Sequence, residues 1–279
     1  MKTPKSLLPL VEDGLVDEVI RPLKSGKEAD VFVVLAEGEI RCAKVYKDVT
    51  QRSFHNQTSY QEGRKVRNSR QARAMEKNSR FGRKQQEAVW QNAEVDALYR
   101  LEAAGVRVPK PYNFASGVLL MELITDAAGG AAPRLNDVQL NPAEALAYHD
   151  LLLKDVVKML CAGIVHGDLS EYNILLDAQG PVIIDLPQAV DAAANNQAAR
   201  MLQRDVDNLA AYFGQFAPEL LTKQFGKEIW KLYESGDLHP DVELTGRFKS
   251  STKTADVGSV MREIKDAREE ALRRKFEEL

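Results

Sequence analysis

The chain has 279 residues, a formal net charge of -3, and 44% hydrophobic and 28% charged residues. These proportions suit a soluble globular protein with a substantial core, so a disordered chain or one drawn as a whole to nucleic acid or a membrane surface is excluded. No run of about 18 apolar residues is present to span a bilayer, and two cysteines, Cys42 and Cys161, without CxxC spacing argue against a disulfide framework or zinc site and for a reducing, cytoplasmic compartment.

The first residues, MKTPKSLLPLVEDG, hold too short an apolar stretch for a secretory leader, since Glu12 and Asp13 follow at once. Residues 1–18 read as an N-terminal segment. Val19 to Tyr46 is strand-rich: Val31 to Leu35 form one β run, Glu37-Gly38-Glu39 offers a turn, and Ile40 to Tyr46 returns. Ser25-Gly26-Lys27-Glu28-Ala29-Asp30 precedes them as a polar connection. From Gln51 to Gln91 ten basic residues stand against three acidic ones, with weak apolar periodicity, which predicts a flexible or partly helical basic insertion over 51–86.

A helix is expected from about Glu87 to Ala104, ended by Gly105 and the prolines after it. Gly117 to Ile124 reads as a buried strand. The small-residue stretch Asp126 to Arg134 marks a boundary between two lobes, 19–125 and 126–215, with 216–279 as a helical extension. Asn141-Pro142-Ala143-Glu144 predicts a helix start with a capping box, and Leu146, Asp150, Leu153, Val157 and Leu160 recur at helical spacing. Two short β runs follow, Ile174 to Leu176 and Val182 to Ile184. Leu202, Val206, Leu209 and Phe213 mark another helix, Ile229 to Tyr233 a short one, and Asp256 to Leu279 an amphipathic tail.

The strongest chemical signal is His166-Gly167-Asp168-Leu169-Ser170-Glu171-Tyr172-Asn173-Ile174-Leu175-Leu176. Asp168 and Asn173 stand five residues apart on a loop entering a strand, and Asp185 ends the next β run. Phosphoryl transfer needs such a set: one carboxylate to orient a hydroxyl and accept its proton, and an amide oxygen with a second carboxylate to hold the metal that bridges the phosphates. Each residue alone is also an ordinary turn or capping group. The joint spacing and the flanking β runs carry the catalytic reading.

Other segments supply what that site requires. Lys44, on a strand after a glycine turn, could reach phosphates if an acid held it. Glu94 on the next helix is the natural partner, with Glu87 and Glu102 competing on sequence alone. Ser25, Gly26, Lys27 and Glu28 would cover phosphates with backbone N–H groups. Backbone groups of Glu122 and Ile124 could bond adenine, with Met121 lining the pocket. Cys42 shares a strand face with Lys44.

At these residues the sequence resembles the RIO family of atypical serine/threonine protein kinases. HGDLSEYNILL is close to the family's catalytic loop, Ile183 to Val190 is similar to its metal-binding loop, and Ser25 to Phe32 resembles its nucleotide loop. Trp90 to Glu94, Leu98, Gly105 to Pro111, Ala132 to Leu135 and Arg204 to Asn208 also match family segments, and the resemblance covers roughly residues 19–215. Residues 51–83 look most like bacterial members. The resemblance implies an α+β, bilobal protein-kinase-like fold with a small β-rich N-lobe and a reduced, mostly helical C-lobe without an activation segment. It implies ATP with Mg2+ (or Mn2+), Asp168 as catalytic base, Asn173 and Asp185 as metal ligands, a protein substrate, and an Asp185 that can itself become phosphorylated, making an ATPase switch. A small-molecule kinase of the aminoglycoside or choline type shares the HGDL…N loop, but Asp185-Leu186-Pro187-Gln188 sets this chain apart. A third reading is an RNA- or ribosome-binding ATPase that grips its partner through residues 51–86.

Overall fold

The computed structural model describes residues 3–26, 28–47 and 80–248, with side chains from Asn92 onward in the helix that starts at Arg80. Lys27, most of the basic insertion and the amphipathic tail lie outside the described residues. The chain divides after Arg247, and everything below concerns the part before that division.

The first lobe is a five-stranded antiparallel sheet in the order β1-β2-β3-β5-β4. Its strands are β1 (Glu18–Ser25), β2 (Ala29–Ala36), β3 (Glu39–Tyr46), β4 (Pro111–Ala115) and β5 (Val118–Glu122). Glu37 and Gly38 join β2 to β3 with φ of 53° and 77°. Two positive φ values match the right-handed twist of the strands they connect, which is why glycine serves there. Glu39 already belongs to β3, so the turn is one residue shorter than the sequence suggested. Strands β2 and β3 fall on the two β runs, β2 starting two residues earlier at Ala29, and β1 lies almost wholly in the strand-rich stretch that begins at Val19. Strand β4 was not anticipated: Pro109 and Pro111 break the pattern, yet proline is tolerated at an edge.

Alternation gives the sheet two chemistries. Ala43 and Val45 of β3 and Val118 and Leu120 of β5 pack with Leu7, Leu10, Val16 and Val34 into a small core, which the short helix α1 (Leu8–Glu12) helps close. The intervening residues Cys42, Lys44, Leu119 and Met121 point the other way, and the pairings Cys42↔Met121 and Lys44↔Leu119 set them side by side. Helix α2 (Arg80–Ala103) starts seven residues earlier than expected. It ends as expected, before Gly105 at φ 70°, and buries Val95, Leu98 and Leu101.

The second lobe is built on α3 (Pro142–Cys161), α4 (Ala198–Phe213) and α5 (Phe225–Ser235). The capping box forms: Glu144 N–H donates to Asn141 Oδ1 at 3.0 Å and Asn141 N–H to Glu144 Oε2 at 2.9 Å. The buried stripe of α3 runs Ala145, His149, Leu152, Leu153, Val156, Val157 and Leu160. Leu146 and Asp150, expected to face inward, are exposed; at its first turns the stripe lies one residue earlier. On α4, Leu202, Val206, Leu209 and Phe213 are buried as the spacing requires. Leu220 and Ile229 join the same core, with Phe225 packed against it.

Two short ribbons deliver the loops that matter. Strands β7 (Ile174–Asp177) and β8 (Gly180–Ile183) pair antiparallel, as do β6 (Ile164–Val165) and β9 (Val190–Asp191). The segment from His166 to Asn173 leaves β6 and enters β7; Ile184 to Ala189 leaves β8 and enters β9. Only Leu186 to Gln197 separates Asp185 from α4, and β9 lies within that stretch, so no activation segment intervenes. An Ala-Pro-Glu tripeptide does occur at 217–219, but it lies beyond α4, where Pro218 and Glu219 open a 3-10 turn. Among the described residues no helix is long and apolar enough to cross a membrane.

Candidate active site

Lys44 is held between two acids. Its Nζ lies 2.5 Å from Glu94 Oε1 and 3.0 Å from Asp185 Oδ1. Burial alone would push the ammonium toward neutrality. The Glu94 and Asp185 carboxylates outweigh it, and the pKa of Lys44 stands well above its ordinary value. The Lys44 charge in turn holds Asp185 below the usual carboxylate range against the cost of its burial. Of the helix acids left open by the sequence, Glu94 is the one that meets Lys44; Glu102 is exposed on α2, and the Glu87 side chain lies outside the described residues. The ring of Tyr46, centred 5.4 Å from Lys44 Nζ, covers the pair and packs edge-on against Phe114.

The loop from His166 is fixed from both sides. His166 is buried, which lowers its pKa to about 4 and keeps the imidazole neutral. Asp168 N–H donates to His166 Nδ1 at 3.3 Å. The ring proton therefore sits on Nε2, which faces Ile184 O at 3.2 Å. Ile184 N–H donates to Asn173 O at 2.9 Å. The two loops are thus stitched together immediately before Asp185. Below them, Asp205 of α4 accepts N–H bonds from Gly167 at 2.7 Å and Leu169 at 3.1 Å. Asn208 Nδ2 donates to Leu169 O at 3.1 Å, and Arg204 Nη2 donates to Gly167 O.

Asn173 Nδ2 donates to Asp168 O at 2.9 Å, which directs its amide oxygen the other way. The Asp168 carboxylate accepts from Gln188 Nε2 at 3.3 Å. Burial raises its pKa, the Arg204 charge opposes that, and the Asp185 charge adds to it. Asp168 is therefore a better base than an isolated aspartate and close enough to Asp185 to sense its charge. Asp185 takes φ 68°, a left-handed backbone where a non-glycine residue is strained, a condition found often at functional sites.

A cavity of about 790 Å³ opens between sheet and second lobe. Of the residues singled out in the sequence, Gly26, Glu28, Cys42, Lys44, Glu94, Met121, Glu122, Ile124 and Asp185 line it. Asp168 and Asn173 are not on its wall; Tyr172 of the same loop is. Ser25 does not line it either, because its hydroxyl donates to Asp30 Oδ1 at 2.5 Å. Lys27 lies outside the described residues. Ile124 gives its carbonyl to Ala132 N–H at 2.9 Å, while its own N–H has no acceptor among the described residues. Glu122 N–H is spent on Lys110 O at 2.8 Å.

The sequence reading gave no role of their own to Arg134, whose charge lowers the Asp185 pKa, or to Gln188, His166 and Asp205. All four sit inside segments that resemble the family, which is the signal that could have found them. Asn173 and Asp185 offer hard oxygen donors suited to magnesium. Among the described residues no group of three or more His, Cys, Asp or Glu converges. A divalent ion here would draw its remaining ligands from phosphate and water, the habit of Mg2+ rather than Zn2+.

A family model of the RIO domain matches residues 30–225. The RIO-type serine/threonine-protein kinase Rio1 of Haloferax volcanii is 35% identical over 206 residues, covering 73% of this chain and 66% of that protein. The serine/threonine-protein kinase rio1 of Schizosaccharomyces pombe is 30% identical over 218 residues, covering 76% of this chain and 41% of that protein. A crystal structure of the Rio2 kinase-ADP/Mg2+-phosphoaspartate complex from Chaetomium thermophilum shares the fold, with a TM-score of 0.51 at 23% identity over 75% of this chain and 59% of the other. The chain spans less than two thirds of the length of each of these proteins. With a family model that matches most of the chain, these relatives and a shared bilobal fold, the chain belongs to the RIO domain family.

Proposed function

We propose that this protein transfers the γ-phosphoryl group of ATP, with Mg2+, to serine or threonine hydroxyls of a protein, as a non-specific serine/threonine protein kinase. The observation that carries this reading is Lys44, clamped by Glu94 and Asp185 on the wall of the 790 Å³ cavity. A lysine so fixed presents a permanent positive charge to the α- and β-phosphates. The adenine would lie against Met121 and Cys42 and bond Ile124 N–H and the Glu122 carbonyl. Gly26 and Glu28 would cover the phosphates. Asn173 and Asp185 would hold Mg2+, which supplies charge neutralisation of the phosphates. Asp168, oriented by Gln188, would accept the proton of the incoming hydroxyl. The division proposed for the chain is residues 19–125 and 126–215 as lobes flanked by 1–18 and 216–279.

The half-exposed, ionised Asp185 favours a second outcome at the same site. Its carboxylate oxygen could attack the γ-phosphorus as the bond to the β–γ bridging oxygen breaks, releasing ADP and leaving an acyl phosphate that water then hydrolyses. Incubation with γ-labelled ATP and magnesium tests both. Acid-stable label on substrate serine supports protein phosphorylation, hydroxylamine-labile label supports the aspartyl route, and a protein that neither transfers nor releases label would refute the proposal. The basic residues of 51–86 are proposed as a contact for RNA or a ribosomal particle; binding insensitive to salt would count against it. A cytoplasmic location fits the two free thiols.

A further inference from the structure

Lys47 stands one residue past the end of β3 and, unlike Lys44, does not line the cavity. Its ammonium is nonetheless fully engaged. Nζ lies 2.8 Å from Asp30 Oδ1, donates to Gly26 O at 2.8 Å and to Ser25 Oγ at 3.2 Å. An ammonium has three protons, and here three acceptors take them. Gly26 lies in the connection between β1 and β2, and Ser25 and Asp30 lie in the strand ends that flank it. The main chain adds a fourth tie, Lys47 N–H to Glu28 O at 2.9 Å. Across the same connection Gly26 N–H donates to Ala29 O at 2.9 Å, and Ser25 Oγ donates to the Asp30 oxygen that Lys47 holds.

We infer that Lys47 is a positioning residue that fixes the nucleotide-covering connection from below, acting on bound phosphates only through the backbone of Gly26 and Glu28. This rests on the proposed binding of ATP in the cavity. The connection carries a single glycine, Gly26, in its polar run, so it lacks the several glycines that let a loop mould itself around phosphates. A loop of that kind gains affinity by being held in its bound shape beforehand. Lys47 supplies the hold, with Asp30 and Ser25 as its anchors. Its side chain is 22% exposed, so water competes weakly for these bonds.

The test compares nucleotides that do and do not carry phosphates. Titration of MgATP and of adenosine into the full chain is measured for the wild type, Lys47→Met, Lys47→Arg and Asp30→Asn, with melting temperature as a control. Lys47→Met should weaken MgATP about tenfold and leave adenosine within about twofold, as loss of preorganisation at the phosphates alone requires. Lys47→Arg should retain most of the ATP affinity, and Asp30→Asn should fall between. The double variant Lys47→Met/Asp30→Asn should lose less than the sum of the single losses, as for groups that act together. Equal losses for ATP and adenosine, or no loss for ATP in Lys47→Met, would overturn the inference. A wild type that binds adenosine and ATP equally weakly would instead refute the nucleotide-site reading on which it depends. Asp30→Asn keeps the comparison decisive should Lys47→Met fail to fold.

Discussion

Asp205 receives the backbone N–H of Gly167 at 2.7 Å from a position 38 residues further along the chain. The same carboxylate takes Leu169 N–H. Helix α4 and the loop that carries Asp168 are therefore one mechanical unit, with an almost fully buried acid as the joint.

That joint titrates. Burial raises the Asp205 pKa to about 7, against the two N–H bonds and Arg204. The folded state then holds the proton more tightly than the unfolded state. Its contribution to stability is greatest below about pH 4 and falls as pH rises toward 7. The difference in melting temperature between wild type and Asp205→Asn, measured from pH 4 to pH 7.5, should shift against the wild type as pH rises. A pH-independent difference would contradict the assignment. Asp205→Ala leaves two buried N–H groups unmet and should cost about 2–4 kcal/mol, read by denaturant unfolding.

His149 works in the opposite sense. It is buried between Phe213 and Phe225, with ring centroids 5.7 and 5.5 Å away, and its Nε2 has no hydrogen-bond partner among the described residues. Burial lowers its pKa to about 4. The unfolded chain binds the proton more readily, so stability is lost as pH falls from about 6.5 to about 4. His149→Phe should raise the melting temperature more at pH 5 than at pH 7.5. An equal gain at both would show that His149 does not contribute to acid lability.

Asp168→Asn should lower phosphoryl transfer by about 10²–10⁴-fold, the range for loss of a general base, while ATP binding persists. Gln188→Ala, which frees the Asp168 side chain without removing it, should produce a smaller fall in kcat with an unchanged KM for ATP. Single-turnover rates and nucleotide titrations separate the two effects. A Gln188 variant with wild-type kcat would show that the 3.3 Å bond is idle.

Glu94→Gln removes one of the two acids on Lys44 and leaves a cation whose side chain is only 13% exposed. Breaking a buried pair from one side costs about 3–5 kcal/mol; the remaining contact with Asp185 and access to water should bring this variant below that range. Its KM for ATP should rise, because Lys44 then leans on Asp185 alone. Denaturation with and without MgATP measures both, and an unaltered KM would refute the clamp.

How much of this was legible depends on how each residue is encoded. The segment from His166 to Asn173 was legible as a segment because Asp168 and Asn173 stand close together in one short loop. Lys44 and Cys42 were legible because side chains alternate on a strand. Asp205 lay inside the family-like segment Arg204 to Asn208, but its role was hidden: an acid on an amphipathic helix looks like its polar face until the helix is seen to lean against a loop. The α3 register slipped at its start because Leu146 is apolar yet 38% exposed, while His149, polar by type, is buried. Strand β4 was obscured by its prolines. The motif spoke for the backbone of Ser25; that its hydroxyl pairs with Asp30 and Lys47 was invisible in a linear pattern.

The dozen residues from Leu186 to Gln197 that lead from Asp185 to α4 have little slack. Leu186, Val190, Ala192 and Asn195 along them are buried, and β9 pairs with β6 midway. There is no spare length for a segment that could swing in and out to license the reaction. The stretch is set when the second lobe folds, so heat or denaturant that loosens it should take the proposed phosphoryl transfer and the fold together.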